Sequence, residues 1–543
     1  MSATFATASL LLALFATPVL AQERSTPRVE STSCMAEAPP PRAVGAARVG
    51  IESCEILAES ATVFDVAGRP FRYLQIRLGG TVDGWAIIEP GGRGNYFTDG
   101  PGIVFPQSGN KETPVHGIGR YAPPKNAAQV APRGHAIELF LPADRARWNG
   151  KLFITAHGAG SYARVGELVP RDPLPHEAAK NFYIGLMLDK GYAVAHTLRS
   201  AARDGGDITV TIDDGRILPH DNVSSNTSLV LPWIELVKRL VAKDLGARPT
   251  RTYFFGHSAG AMLGHLLNYL PGANRDAEGK LVIDGFLMDD PGGGLWLPKL
   301  LENGKDILFA TNADKRYFAK QIDVAHQLYL GETGDFLVNK RENARLLATK
   351  GLGDHNRLYE VRGVSHFDAN HPSLNELAPG VDMSGLYVAL IDRLDDWVER
   401  GVAPPGNRSD ETALSAGAPA ISLPITACPL GEYHAYPSFM GVNRRAGQLT
   451  EFAAYDGVNL EPLDGRGQLV DMNRDGKRDR RETVTEAWRR LGLLTQSESF
   501  DRDRYVACVT AASAKLVADK LLPQAFADFY RQEAASRSLA EVR

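Results

Sequence analysis

The pentapeptide Gly256-His257-Ser258-Ala259-Gly260 places a serine between two glycines, each two positions away. Small residues at those positions permit a tight turn that exposes the hydroxyl and aims backbone N–H groups at a charge developing beside it. Nucleophilic attack on a carbonyl needs that arrangement. Glycine makes up 53 of the 543 residues, so chance supplies the bare pattern roughly once in four chains of this length. The flanks carry more weight. Tyr253-Phe254-Phe255 reads as a buried strand and Ala261-Met262-Leu263-Gly264-His265-Leu266-Leu267 as a helix, giving strand, turn and helix in order.

A serine hydroxyl needs a base to take its proton and an acid to orient that base. His366, in Gly363-Val364-Ser365-His366-Phe367-Asp368, follows a strand expected at Arg357–Val361 and is the candidate base, with His371 and then His355 in reserve. The acid is wanted after the preceding strand, expected at Gln327–Leu330. Asp335 stands 31 residues before His366, which leaves room for one helix and one strand. Glu332 is the alternative acid, with Asp314 and Asp290 behind it. Upstream, His157-Gly158-Ala159-Gly160 follows a strand expected at Lys151–Ala156. The backbone N–H of Ala159 would join that of Ala259 in an oxyanion hole, while His157 and His257 read as structural. Such chemistry requires no organic cofactor.

A second constellation points to a metal. Asp471, Asn473, Asp475, Lys477, Asp479 and Glu482 occupy positions 1, 3, 5, 7, 9 and 12 of an EF-hand-like calcium loop, with Gly476 at position 6 and Lys477 contributing its carbonyl. The helix that should precede such a loop is missing, because Pro462, Gly465 and Gly467 interrupt it. Neighbouring arginines dilute the negative charge, so a structural Ca2+ is expected, away from the catalytic centre.

The elements that must hold these residues follow from periodicity. Short apolar strands are expected at Ala136–Leu141, Lys151–Ala156, Tyr192–Thr197, Thr252–Phe255, Gly285–Met288, Gln327–Leu330 and Arg357–Val361. Helices are expected at Val230–Leu245, with Pro232 near its first turn, and at Leu386–Arg400, stopped by Gly401. Strands alternating with helices indicate a mostly parallel sheet. Residues 1–21 read as a signal peptide cleaved after Ala21, 22–133 as a β-rich extension, 134–404 as the catalytic domain and 405–543 as a C-terminal region. The mature protein is then secreted or periplasmic, with no membrane span.

Cys34, Cys54, Cys428 and Cys508 suit disulfides in such a compartment. Three pairings are open, and Cys34 with Cys54 plus Cys428 with Cys508 would staple the two ends separately. A formal net charge of -4 from 60 basic and 64 acidic residues gives no footprint for nucleic acid and favours a neutral or mildly polar substrate.

Strand, elbow and the order Ser, acid, His together read as an α/β-hydrolase fold. The chain resembles a bacterial family of long exported α/β-hydrolases over roughly residues 130–540. The resemblance lies in Gly331-Glu332-Thr333-Gly334-Asp335 and Glu360-Val361-Arg362-Gly363-Val364-Ser365-His366, and it implies a C-terminal portion folded back on the catalytic domain. A weaker likeness to tannase and feruloyl esterase enzymes lies in Trp148-Asn149-Gly150-Lys151, although the cysteine those enzymes place beside the nucleophile is absent. The expected activity is hydrolysis of a small or polymeric carboxylic ester through an acyl-enzyme. The alternatives are a serine peptidase or amidase on the same fold, and a secreted binding protein on an inactive scaffold organised by the calcium loop.

Overall fold

A computed structural model describes residues 31–44, 47–57, 62–66, 69–87, 102–107, 111–116, 118–122, 135–156, 183–198, 208–211, 217–220, 227–269, 274–276, 278–291, 299–302, 305–306, 318–327, 335–364, 381–433, 449–450, 483–537 and 539. The expected signal peptide at 1–21 lies outside them.

Eight strands form the central run of the largest sheet: β1 (Arg69–Ile87), β2 (His135–Pro142), β3 (Lys151–Ala156), β4 (Ala193–Leu198), β5 (Arg251–His257), β6 (Gly285–Asp289), β7 (Lys320–His326) and β8 (Asn356–Val361). Their spatial order is β1-β2-β4-β3-β5-β6-β7-β8. β2 pairs antiparallel with both β1 and β4, and every pair from β4 to β8 is parallel. β1 also pairs with the strands Ala47–Leu57, Thr62–Val66 and Ile118–Ala122, so the N-terminal strands continue the sheet.

Parallel strands covered on both faces should be apolar throughout rather than alternating, and β5 follows that rule. Tyr253 and Phe255 enter one buried cluster and Phe254 the other. On the first face lie helices α1 (Ile184–Asp189) and α5 (Ser384–Arg400), whose Met187, Leu386, Leu390 and Trp397 are buried. The second face is covered by α2 (Thr227–Leu245) and α3 (Ala259–Tyr269). Helix α4 (Asp335–Thr349) packs Ala344 against Ala325 and Leu358.

Two expectations change. The strand before the candidate acid is Lys320–His326, not Gln327–Leu330, and Gln327 is already in a turn. Lys-Gln-Ile-Asp-Val-Ala-His hides that strand because its Gln321, Asp323 and His326 are buried, the first two with partners inside the protein: Asn268 reaches Gln321 at 3.0 Å, His265 lies 2.7 Å from Asp323, and Asn356 donates to Asp323 at 2.7 Å. Helix α2 begins at Thr227, so Pro232 falls inside it rather than in its first turn.

The C-terminal region folds against the catalytic sheet. After Pro404 the chain runs along the outer edge of β8: Arg408 N donates to Leu358 O at 2.9 Å and Ile421 N to Glu360 O at 2.8 Å. This backbone pairing covers an otherwise open sheet edge. Helices α6 (Val484–Arg490), α7 (Arg502–Ala518) and α8 (Gln524–Ser536) then bury Trp488, Tyr505 and Tyr530 in the cluster that holds Tyr359 and Tyr387. Disulfides join Cys34 to Cys54 and Cys428 to Cys508, the pairing that staples the two ends separately.

Candidate active site

Ser258 sits between the last residue of β5 and the first of α3, half-buried, with a φ of 54°. A serine in the left-handed region costs on the order of 1–3 kcal/mol and persists only where its surroundings over-determine it. Two features do so here. The Ser258 N–H donates to the Asp289 carbonyl at the end of β6, at 3.0 Å. Gly256 is also pressed against the start of α3, where a Cβ would lie 2.6 Å from Ala261 N and closer still to Gly260. Only glycine permits that approach, which is the physical content of the first glycine in the motif. Ala259 opens α3, so its N–H is among the first-turn donors that have no acceptor within the helix.

Beneath the serine lies a buried polar network. The Asp289 carboxylate receives His257 Nδ1 at 2.9 Å, has His326 Nε2 at 2.8 Å, and accepts the Tyr387 hydroxyl from α5. Burial alone would raise this carboxyl, but the facing His326 imidazole and the His257 hydrogen bond outweigh it and hold it well below the usual carboxylate range. Asp290, with a φ of 43°, accepts from His326 N at 3.0 Å and from the Lys340 ammonium of α4. Tyr387 stacks on Tyr183 with ring centroids 4.1 Å apart. Residues from β5, β6, β7, α4 and α5 thus converge on the strand end that holds the Ser258 amide.

Asp335 is the first residue of α4, nine positions past the end of β7. Val364, at the end of the turn after β8, is fully buried and stands two positions before His366. His366, Glu332, Ala159, His157, His371 and Asp314 lie outside the described residues. His355 is excluded as the base, because it precedes β8 at the edge of the parallel sheet opposite Ser258. Asp290, just past the end of β6, has its carboxylate engaged by Lys340 and the His326 amide.

His257, expected to be structural, is buried with Nδ1 2.9 Å from the Asp289 carboxylate. Asp289, His326 and Tyr387 had no local signal, since they come together from positions up to 98 residues apart. The adjacent pair Asp289-Asp290 at a strand end was the one available hint.

Trp148-Asn149-Gly150-Lys151 forms the turn into β3. Trp148 Nε1 donates to Lys151 O at 2.9 Å, Lys151 N to Asn149 Oδ1 at 2.9 Å, and Gly150 takes a φ of 81°. The Lys151 ammonium pairs with Asp395 of α5 at 2.7 Å, so turn geometry and this ion pair account for its residue types.

The calcium-loop residues Asp471, Asn473, Asp475, Lys477, Asp479 and Glu482 lie outside the described residues. The helix after them is α6, opened by Thr483 and Glu486 in a capping box. Among the described residues no three His, Cys, Asp or Glu side chains are grouped to hold a metal, and no helix is long and apolar enough to cross a membrane.

No curated protein matches the sequence. Solved structures with some similarity include esterase B from Lactobacillus Rhamnosis, at 11% identity over 42% of this chain and 70% of that one, with a TM-score of 0.25. Poly(aspartic acid) hydrolase-1 from Sphingomonas sp. KT-1 gives 14%, 43%, 89% and 0.31 for the same quantities. Butyrate-bound esterase 2 from Thermogutta terrifontis gives 15%, 53%, 96% and 0.31. The family model described as an alpha/beta hydrolase domain matches residues 234–531, more than half of the sequence, from within α2 to within α8. On that match the chain belongs to the α/β-hydrolase domain family.

Proposed function

We propose that the protein is a serine hydrolase of carboxylic esters working through an acyl-enzyme. The observation that carries the reading is Ser258 held at a φ of 54° between β5 and α3, against a Gly256 that cannot carry a side chain. A strained, half-buried serine at the end of a central strand has a chemical use and no packing use. Sheet order supports the rest. β7 and β8 run parallel to β5, so the chain leaves both at the end of the sheet where Ser258 sits, and in sequence Glu332 and Asp335 come after β7 and His366 after β8.

In this reading His366 takes the Ser258 proton as Oγ attacks the ester carbonyl, and Asp335, or Glu332 in its place, orients the imidazole. The backbone N–H groups of Ala159 and Ala259 bind the oxyanion. Collapse expels the alcohol with the proton from His366. Water, activated by the same histidine, then releases the carboxylic acid and restores Ser258. The two disulfides and the Met1–Ala21 segment support action outside the cytoplasm. The Asp471–Glu482 loop is assigned a structural Ca2+.

Ser258→Ala should lower turnover of 4-nitrophenyl acetate by roughly 10⁴-fold or more. Esters of increasing acyl length, set beside the matching anilides, separate an esterase from an amidase or peptidase. Anilide turnover matching that of the esters would favour the amidase reading, and full activity in Ser258→Ala would sink both.

A further inference from the structure

Where the chain after Pro404 passes between the β8 edge and α7, it leaves a cavity of about 240 Å³. Its charged lining is Arg362, Arg408, Lys515 and Asp519. Ile421, Leu516 and Leu521 supply apolar wall. The disulfide between Cys428 and Cys508 ties the two sides together close by.

The cations are unequally used. Arg362 is neutralised by Asp410, with Nε 3.1 Å from Oδ2. The Arg408 side chain is only 16% exposed, yet among the described residues its one acidic neighbour is Asp519 at 3.2 Å, and its Nε meets no hydrogen-bond acceptor. A guanidinium has five N–H donors, and burial without acceptors is unfavourable. Lys515 reaches the same cavity from α7, and its ammonium has no partner among the described residues. With Asp410 and Asp519 counted against the three cations, the site is short of one negative charge.

One missing charge, a donor fork and an apolar wall define an organic monoanion better than an inorganic dianion, which Asp519 would repel and which would leave the apolar wall unused. The volume lies below the roughly 300–1,000 Å³ of drug-sized pockets, so the ligand is small. We propose that this cavity binds a small organic monocarboxylate, its carboxylate between Arg408 and Lys515 and its apolar body against Ile421, Leu516 and Leu521. The bound anion would join the β8 edge segment to α7. The site does not depend on the ester chemistry proposed above.

Calorimetric titration of the full chain with benzoate should give saturable binding at one site. Arg408→Lys keeps a charge for Asp519 but loses the fork, and should weaken binding about tenfold. Lys515→Ala, a change at an exposed position that the fold tolerates, should weaken it about fivefold. Inorganic phosphate should bind at least about tenfold more weakly than benzoate. Absence of saturable benzoate binding, unchanged affinity in Lys515→Ala, or phosphate binding as well as benzoate would each overturn the proposal.

Discussion

Gly256→Ala is a one-carbon test of the turn that presents Ser258. The added Cβ would stand 2.6 Å from Ala261 N, whereas ordinary contacts begin near 3.4 Å. The start of α3 must therefore retreat by at least about 0.8 Å, since Gly260 stands closer still, or β5 must shift by as much, and the obstacle is backbone that cannot rotate aside. Overpacking of this kind costs about 1–3 kcal/mol. The larger effect is on Ser258, whose hydroxyl and the adjacent Ala259 N–H ride on the displaced turn. A misplacement near 1 Å lowers turnover about 10²-fold. The assay is kcat on 4-nitrophenyl acetate, with circular dichroism to confirm folded content. Gly406→Ala is the control, because nothing lies within 4 Å of its Cβ position, and it should leave both readouts unchanged. A folded Gly256→Ala protein that keeps at least about a third of the activity would refute the claim that the close approach sets the geometry of the nucleophile.

Asp289→Asn should destabilise the fold by about 3 kcal/mol, since it removes the buried charge that His257, His326 and Tyr387 share. The folded carboxyl titrates below its unfolded value near 3.9, so its stabilisation is complete above about pH 5 and is lost as the pH falls through the folded pKa. Urea melts from pH 7 to pH 3 should therefore fall less steeply at the acid end in the variant, and parallel curves would contradict this role. The disulfide between Cys428 and Cys508 closes a loop with a sequence separation of 80, for which chain entropy predicts about 4.5 kcal/mol. Cys428→Ser with Cys508→Ser should lower the melting temperature more than the corresponding change at Cys34 and Cys54, whose separation is 20. If the Asp471–Glu482 loop holds calcium, about 1 mM Ca2+ raises the melting temperature, EDTA lowers it and Asp471→Ala abolishes the difference. Identical melts with and without EDTA would remove the metal.

Sequence periodicity reached most of the frame and little of what lies under the serine. Lys151–Ala156 matches β3 residue for residue, and the apolar runs at Thr252–Phe255 and Gly285–Met288 lie inside β5 and β6. Buried parallel strands write their position in unbroken apolar residues. β7 escaped because its Gln321 and Asp323 meet Asn268, His265 and Asn356 inside the protein, while an isolated sequence attributes such residues to solvent. The same limit hid the contacts of Asp289, since pairing with His326 and Tyr387 exists only once β7 and α5 have packed. Ser258 was legible because its requirements are local: a small residue two positions back, a strand before and a helix after.

Peptide mapping of the protein after reaction with a fluorophosphonate tests the nucleophile directly. A single adduct on Ser258, absent from Ser258→Ala and accompanied by loss of 4-nitrophenyl acetate turnover in proportion to labelling, is the predicted result. An adduct on another residue, or turnover that survives complete modification of Ser258, would contradict the account.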